Sequence, residues 1–130
     1  MSEAYQKTLT VNEDDLDELN HVNNVRYVQW IQDIAKEHWN EFADKSLREG
    51  IIWVVKHHDI SYKSPAKLGD RINIRTYIEK SKGAVSTRIV EMLDFDTAKV
   101  LLRSSTEWCL LDANSLRPIR ITEDIKRVFI

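Results

Sequence analysis

The chain has 130 residues, with 19 lysines and arginines against 21 acids, a formal charge of −2 and one cysteine. That length suits one domain with a single core, and the interspersed charges leave no basic footprint for nucleic acid or a membrane surface. No apolar run approaches the roughly 20 residues of a membrane helix, the start MSEAYQKT lacks the apolar core of a secretory signal, and lone Cys109 cannot close an internal disulfide, which together predict a cytoplasmic protein.

Residues 4–13 alternate loosely and predict a first strand. The stretch 15–42 follows, and its back half is the one long amphipathic segment. Tyr27, Val28, Ile31, Ile34, Ala35 and Phe42 recur at helical spacing, with Gln29, Asp33, Lys36, Glu37 and Asn40 opposite. Asn23 or Asn24 stands where an N-cap is expected, and residues 44–50 close the helix with Gly50 as its stop.

From Ile51 the period changes to two. Strict alternation places Ile52, Val54, Lys56, His58, Ile60 and Tyr62 on one face of a strand, and Trp53, Val55, His57, Asp59 and Ser61 on the other. Pro65 and Gly69 break the pattern, and residues 70–80 resume it with Ile72, Ile74, Thr76 and Ile78 on one face. Ser81-Lys82-Gly83 predicts a hairpin turn, VSTRIVEML the next strand, DFDTA another turn and KVLLRSSTEWCLLD a long last strand. A short helical turn is expected over 122–128. The order β-α-β-β-β-β with short connections predicts an α+β domain, an antiparallel sheet with one helix on its face. Strands of ten or more residues exceed the usual five or six and favour a sheet that curls around the helix.

The chemistry-bearing residues crowd just before that helix, in DLDELNHVNN. A carboxylate and a histidine there stand beside the unpaired N–H groups and positive dipole end of the helix, a suitable place to hold a carbonyl oxygen as it becomes negative. Asp17 alone also reads as an ordinary pre-helix acid, and Asp15 as a solvated or turn-forming one.

The segment DLDELNHVNNVRYVQW resembles the signature of hotdog-fold thioesterases, both the plant acyl-ACP enzymes and the bacterial acyl-CoA enzymes of the 4-hydroxybenzoyl-CoA type. The shared pattern D-x-D-x-x-x-H-V-N-N-x-x-Y is supplied by Asp15, Asp17, His21, Val22, Asn23, Asn24 and Tyr27. Downstream, ISYKSPAKLGDRINIRT is similar to the second family signature, a tyrosine, a Pro-Ala pair and a Gly-Asp that opens the next strand. Two motifs in order are far more specific than one, and they agree with the strand order.

The resemblance implies a hotdog fold over residues 1–130, a long helix wrapped by a five-stranded antiparallel sheet. It implies a thioester hydrolase acting on an acyl-CoA or acyl-ACP of fatty-acid metabolism, with active sites between subunits of a homodimer or dimer of dimers (a homotetramer). The catalytic aspartate, ten residues before the tyrosine, corresponds to Asp17, and the plant-type histidine to His21. Asn23, Asn24, Val25 and Tyr27 are the expected substrate-binding residues at the helix start, with the amides of Asn24 or Val25 polarising the thioester carbonyl. One of His57 and His58 either lines the partner subunit's pocket with Ser61 or Ser64, or has only a surface or sheet-packing role, the simpler reading. Two departures matter: Leu19 replaces a plant-type asparagine, and the plant-type Glu-Cys pair falls near Pro65 and Ala66. Cys109 lies too far along to replace that cysteine, so Asp17-centred hydrolysis is the mechanism expected here.

No metal or redox cofactor is expected. Adjacent strand residues point to opposite faces, so His57 and His58 cannot easily share an ion, and no metal-protease or paired-cysteine spacing occurs. Trp30, Trp39 and Trp53 read as core or interface aromatics, and Lys63, Lys67 and Arg71 as solvated charges or partners for a CoA phosphate. Two alternatives remain open: a non-catalytic acyl-thioester-binding protein of the same fold, and a hotdog dehydratase. With only Pro65 and Pro118, and neither beside His21, the chain lacks the dehydratase's proline-rich histidine loop.

Overall fold

A computed structural model describes residues 4–129. Five strands, β1 (Tyr5–Thr10), β2 (Ile51–Tyr62), β3 (Arg71–Lys82), β4 (Val85–Asp94) and β5 (Val100–Asp112), form one antiparallel sheet in the order β1-β3-β4-β5-β2. The long helix α1 (Asn24–Phe42) packs on it, with short helices α2 (Lys45–Arg48) and α3 (Glu123–Arg127) after α1 and β5. The predicted α+β hotdog architecture, its element order and both hairpin turns are present. Among the described residues, no helix is long and apolar enough to cross a membrane.

The curl comes from strands of 10 to 13 residues whose inner side chains pack on the apolar face of α1. Ile31 and Ile34 are fully buried against Ile72, Ile74, Val90, Met92 and Leu102, and each such burial stabilises the fold by about 1.5–3 kcal/mol. Thirteen buried residues form this core under the first half of α1, while Trp39, Leu110, Ile121, Ile125 and Phe129 gather in a second cluster at its far end.

The helix departs from its predicted faces at the C-terminal half. Phe42, expected on the apolar face, is exposed, and His38 is buried; Trp30 and Trp39 are buried as the expected core aromatics. The helix stops at Phe42, with Ala43 extended as its C-cap, so Gly50 does not end it. Gly50 instead takes φ +76° after α2, a left-handed turn that starts β2.

Strand β2 departs more informatively. The register against β5 shifts between Val55 and His57, so Lys56 is an extra residue. A bulge of this kind inverts the face of everything beyond it. Ile51, Trp53 and Val55 therefore share the half-buried inner face with His58 and Ile60, and Ile52, Val54, His57, Asp59 and Ser61 are exposed. Strict alternation gives the wrong partners because it carries no extra residue. β2 is also a sheet edge, hydrogen-bonded only to β5 among the described residues.

Candidate active site

The loop entering α1 is a closed turn. Leu16 and Val22 bridge its base, the Asp17 N–H donates to the His21 carbonyl at 2.8 Å, and the Asn20 N–H donates to the Asp17 carbonyl at 3.1 Å. Asn20 holds φ +61°, a left-handed conformation that asparagine tolerates better than most residues with a side chain. At the head of the turn, Asp17 Oδ1 accepts the N–H groups of Leu19 at 2.8 Å and His21 at 3.2 Å. Two amides thus fix one carboxylate oxygen, and no described residue bonds Oδ2. The turn-forming role of Asp17 and a reactive role are compatible, because the first uses Oδ1 and leaves the second oxygen unengaged.

Asp15 is not solvated. It is buried, its Oδ1 lies 3.0 Å from Arg26 Nε, and its Oδ2 accepts the Asn12 N–H at 2.9 Å. Its carbonyl accepts the Asn23 N–H at 2.8 Å. The turn-forming half of its expected role stands, and it ties the loop to the first turn of α1.

Asn23 is the N-cap: its Oδ1 accepts the Val25 N–H at 2.9 Å. That bond engages the Val25 amide, so of the two expected carbonyl-polarising donors only the Asn24 N–H lacks a partner among the described residues. The His21 backbone anchors the turn and bridges to Lys67, while its half-buried imidazole makes no hydrogen bond to a described residue. Tyr27 is buried, its ring 5.7 Å from Trp30 and 5.9 Å from Tyr62. Burial raises its phenol above the ordinary value, with the Ala66 backbone acting the other way, and the hydroxyl meets no partner of ordinary hydrogen-bond geometry among the described residues.

The segment after β2 runs beside this loop, since the Val22 N–H donates to the Ala66 carbonyl at 2.9 Å. Half-buried Ser64 belongs to that segment, its N–H 3.2 Å from the Leu101 carbonyl. His57 and Ser61 do not join Asp17 within one protomer. They lie on the outer face of β2, where Ser61 borders a hollow of about 160 Å³ with Asp59, Lys63, Arg103 and Ser105. His58 faces inward, with Nδ1 2.8 Å from Thr106 Oγ1, and burial with His57 beside it lowers its pKa. Arg71 pairs with Asp96 and lies over the Phe95 ring at 4.5 Å.

One feature of the loop is not legible in the periodicity. Leu19, Val25 and Leu68 are 74%, 76% and 54% exposed, and Tyr62 is exposed beside Tyr27. Large apolar side chains thus face water on this loop, at the helix start and in the segment beside it. All but Val25 lie outside helix faces, at a strand end or in turns where no repeat exists to give them away. A hollow of about 250 Å³ lies elsewhere, beside Trp39 at the far half of α1.

The acyl-ACP thioesterase N-terminal domain family matches the sequence over residues 2–129. Three similar solved structures are the probable thioesterase YbaW from Escherichia coli, SAV2348 from Staphylococcus aureus in complex with CoA, and the 12:0-ACP thioesterase from Umbellularia californica. The first is 20% identical, with a TM-score of 0.82 over 95% of this chain and 94% of that one. The second is 15% identical, with a TM-score of 0.86 over 98% and 82%. The third is 16% identical, with a TM-score of 0.83 over 98% of this chain and 51% of the plant protein, so this chain spans about half its length. These likenesses establish the fold. A search of curated protein sequences returned no match.

Proposed function

Because the chain belongs to the acyl-ACP thioesterase N-terminal domain family, we propose that it is a cytoplasmic thioesterase that hydrolyses an acyl-CoA or acyl-ACP to a free carboxylic acid and a thiol, as one hotdog domain over residues 1–130. The observation that carries this reading is Asp17, with one oxygen fixed by two amides and the other unengaged, in the turn leading to α1. Either that oxygen attacks the carbonyl carbon, expelling the thiolate and leaving a mixed anhydride that water opens, or it takes a proton from the water that attacks. The Asn24 N–H stabilises the developing oxyanion, and His21 assists by donating to the carbonyl oxygen or orienting the water. Asn23 shapes the helix start, and Val25 and Tyr27 line the approach with Leu19, Tyr62 and Leu68.

The unit that acts is a homodimer or a dimer of dimers. Support comes from the free edge of β2, beside exposed Ile52 and Val54, because an unpaired edge of 12 residues is a template for another strand. In that unit His57, Ser61 and Ser64 belong to the partner's pocket. The reaction uses no metal or redox cofactor in this reading.

The test is thiol release from a panel of acyl-CoAs and acyl-ACPs. Release by the wild type that collapses in Asp17→Asn supports the assignment and names the substrate class. Undiminished release by the variant removes Asp17 from the chemistry, and no release by the wild type with any substrate turns the reading to a non-catalytic acyl-thioester-binding protein.

A further inference from the structure

At the far half of α1, a cavity of about 250 Å³ opens between the helix and the start of β2, with Ile78, Ser86, Arg88 and Trp108 of the neighbouring strands in its wall. None of its lining residues comes from the Asp17 loop. The walls are aromatic, with Trp39, Trp53, Trp108 and Phe129. The charges are of one sign: Arg88 inside and Lys36 at the exposed rim, with no carboxylate in the lining.

Arg88 is the anomaly. It is 3% exposed, sits on the inner face of β4, and meets no carboxylate among the described residues. Its Nη1 lies 3.0 Å from His38 Nδ1 and 3.0 Å from Thr76 Oγ1, and its plane lies 5.0 Å from the Phe129 ring. Nε and Nη2 bond no described residue. A guanidinium only donates, so His38 Nδ1 is the acceptor, its proton is on Nε2 and the imidazole is neutral. The cation is therefore held by dipoles and a ring, with no neutralising charge. Three lining residues also carry donors, Ser86 Oγ, Trp53 Nε1 and Trp108 Nε1, but these are sealed from the cavity and have no partner among the described residues, so Arg88 is the group that meets a ligand. Burying a polar group without a partner is unfavourable, and burying an unpaired charge more so. An arginine buried in a cavity wall with no carboxylate beside it can be satisfied by an anion that enters the cavity.

We propose that this cavity binds the carboxylate of an apolar acid, with Arg88 receiving the charge and the tryptophans and Phe129 enclosing the apolar body. The volume exceeds the roughly 150 Å³ that holds a benzene ring, and the absence of any acid from the lining selects an anion over a neutral or cationic end. Two sources share this chemistry: a free carboxylic acid, such as the product of thioester hydrolysis, and the far end of an acyl group that itself carries a carboxylate.

Binding is read without turnover, so its outcome is independent of the thioesterase assignment. Octanoate and 1-octanol are titrated into the full chain and followed by tryptophan fluorescence, with Trp53 and Trp108 in the cavity wall as reporters. Octanoate is expected to bind at least about tenfold more tightly than octanol, the size of one charge-assisted hydrogen bond. In Arg88→Met that preference is expected to fall to about twofold or less. Should Arg88→Met fail to fold by circular dichroism, Ile78→Phe narrows the cavity without touching Arg88 and is expected to abolish octanoate binding. Equal binding of acid and alcohol by the wild type, or full octanoate binding by a folded variant of either kind, overturns the proposal. With hydrolysis as the second arm, higher kcat/KM for a thioester whose acyl chain ends in a carboxylate than for its methyl-ended counterpart assigns the site to the acyl group. Inhibition by octanoate without that preference assigns it to the free acid.

Discussion

The two ends of α1 solve opposite problems. At the N-terminal end the oxygens that shape the loop are held by local bonds: Asp17 by two amides, Asn23 by the Val25 N–H, and buried Asp15 by Arg26 and the Asn12 N–H. The apolar side chains there, Leu19, Val25 and Leu68, are the ones left facing water. At the C-terminal end the apolar groups are buried and the polar ones, Arg88, His38 and Ser86, are buried with them. The first end lacks an apolar partner, and the second lacks an anion. A carboxylate that is oriented and unengaged suits chemistry, whereas a cation enclosed by aromatic rings suits binding.

The contrast breaks most sharply at Asp17. Asp17→Asn keeps an oxygen to accept from Leu19 and His21, so the turn is expected to persist while kcat falls about 10²–10⁴-fold, measured by thiol release with the fold checked by circular dichroism. A retained kcat would make Asp17 purely a turn residue. The second effect tests whether the free edge of β2, with exposed Ile52 and Val54, is an interface. Ile52→Lys with Val54→Lys sets two charges along the free edge of β2, a substitution that opposes edge pairing. The molar mass by light scattering is expected to drop to that of a monomer, and hydrolysis to fall about tenfold or more with it. A monomer with full activity would show that one protomer holds the whole site.

Much of this contrast is legible in the amino-acid sequence. The period of 3.6 marks α1 and the period of two marks the strands, because both elements bury one face. Asp17, His21 and the capping asparagines stand out because a polar cluster abuts the helix start. What escapes the periodicity is local. One extra residue at Lys56 inverts the faces of β2, and no side-chain pattern marks a bulge in advance. Phe42 is left exposed and His38 is buried because the second core cluster closes over the helix from α3 and Phe129, which lie far along the chain. Arg88 does carry a signal: alternation in β4 places it with Ser86, Val90 and Met92 on the inner face. An arginine at an inward position is a question that sequence raises and only packing answers.

Two smaller effects separate the ends by stability. Asp15→Ala leaves Arg26 without its carboxylate and the Asn12 N–H without its acceptor. Because Arg26 is partly exposed, the cost is expected at about 1–3 kcal/mol, read by urea denaturation. At the other end, His38 is lowered to about 4, first by burial and then by the Arg88 charge. The unfolded histidine binds a proton below about pH 6.5, and the folded one does not until about pH 4. The His38 contribution is therefore complete above about pH 6.5 and declines as pH falls toward 4. In His38→Gln the slope of stability against pH across that window is expected to flatten; an unchanged slope would mean that other groups set the acid limit.

The smallest effect concerns the cap. Asn23→Ala removes the acceptor for the Val25 N–H and should cost about 1 kcal/mol, a fall in Tm of roughly 3–5 °C for a chain of this size. The same change frees the Val25 amide. If the oxyanion is held by the Asn24 N–H alone, kcat of Asn23→Ala should stay within about threefold of wild type, because the loop remains tied by Asp15 to the Asn23 N–H, a backbone bond the substitution leaves in place. A rise in KM with kcat unchanged would place the Asn23 side chain against the substrate. A kcat that falls far more than the stability does would mean that the cap sets the direction of the Asn24 N–H. The helix start would then be part of the reacting geometry rather than its support.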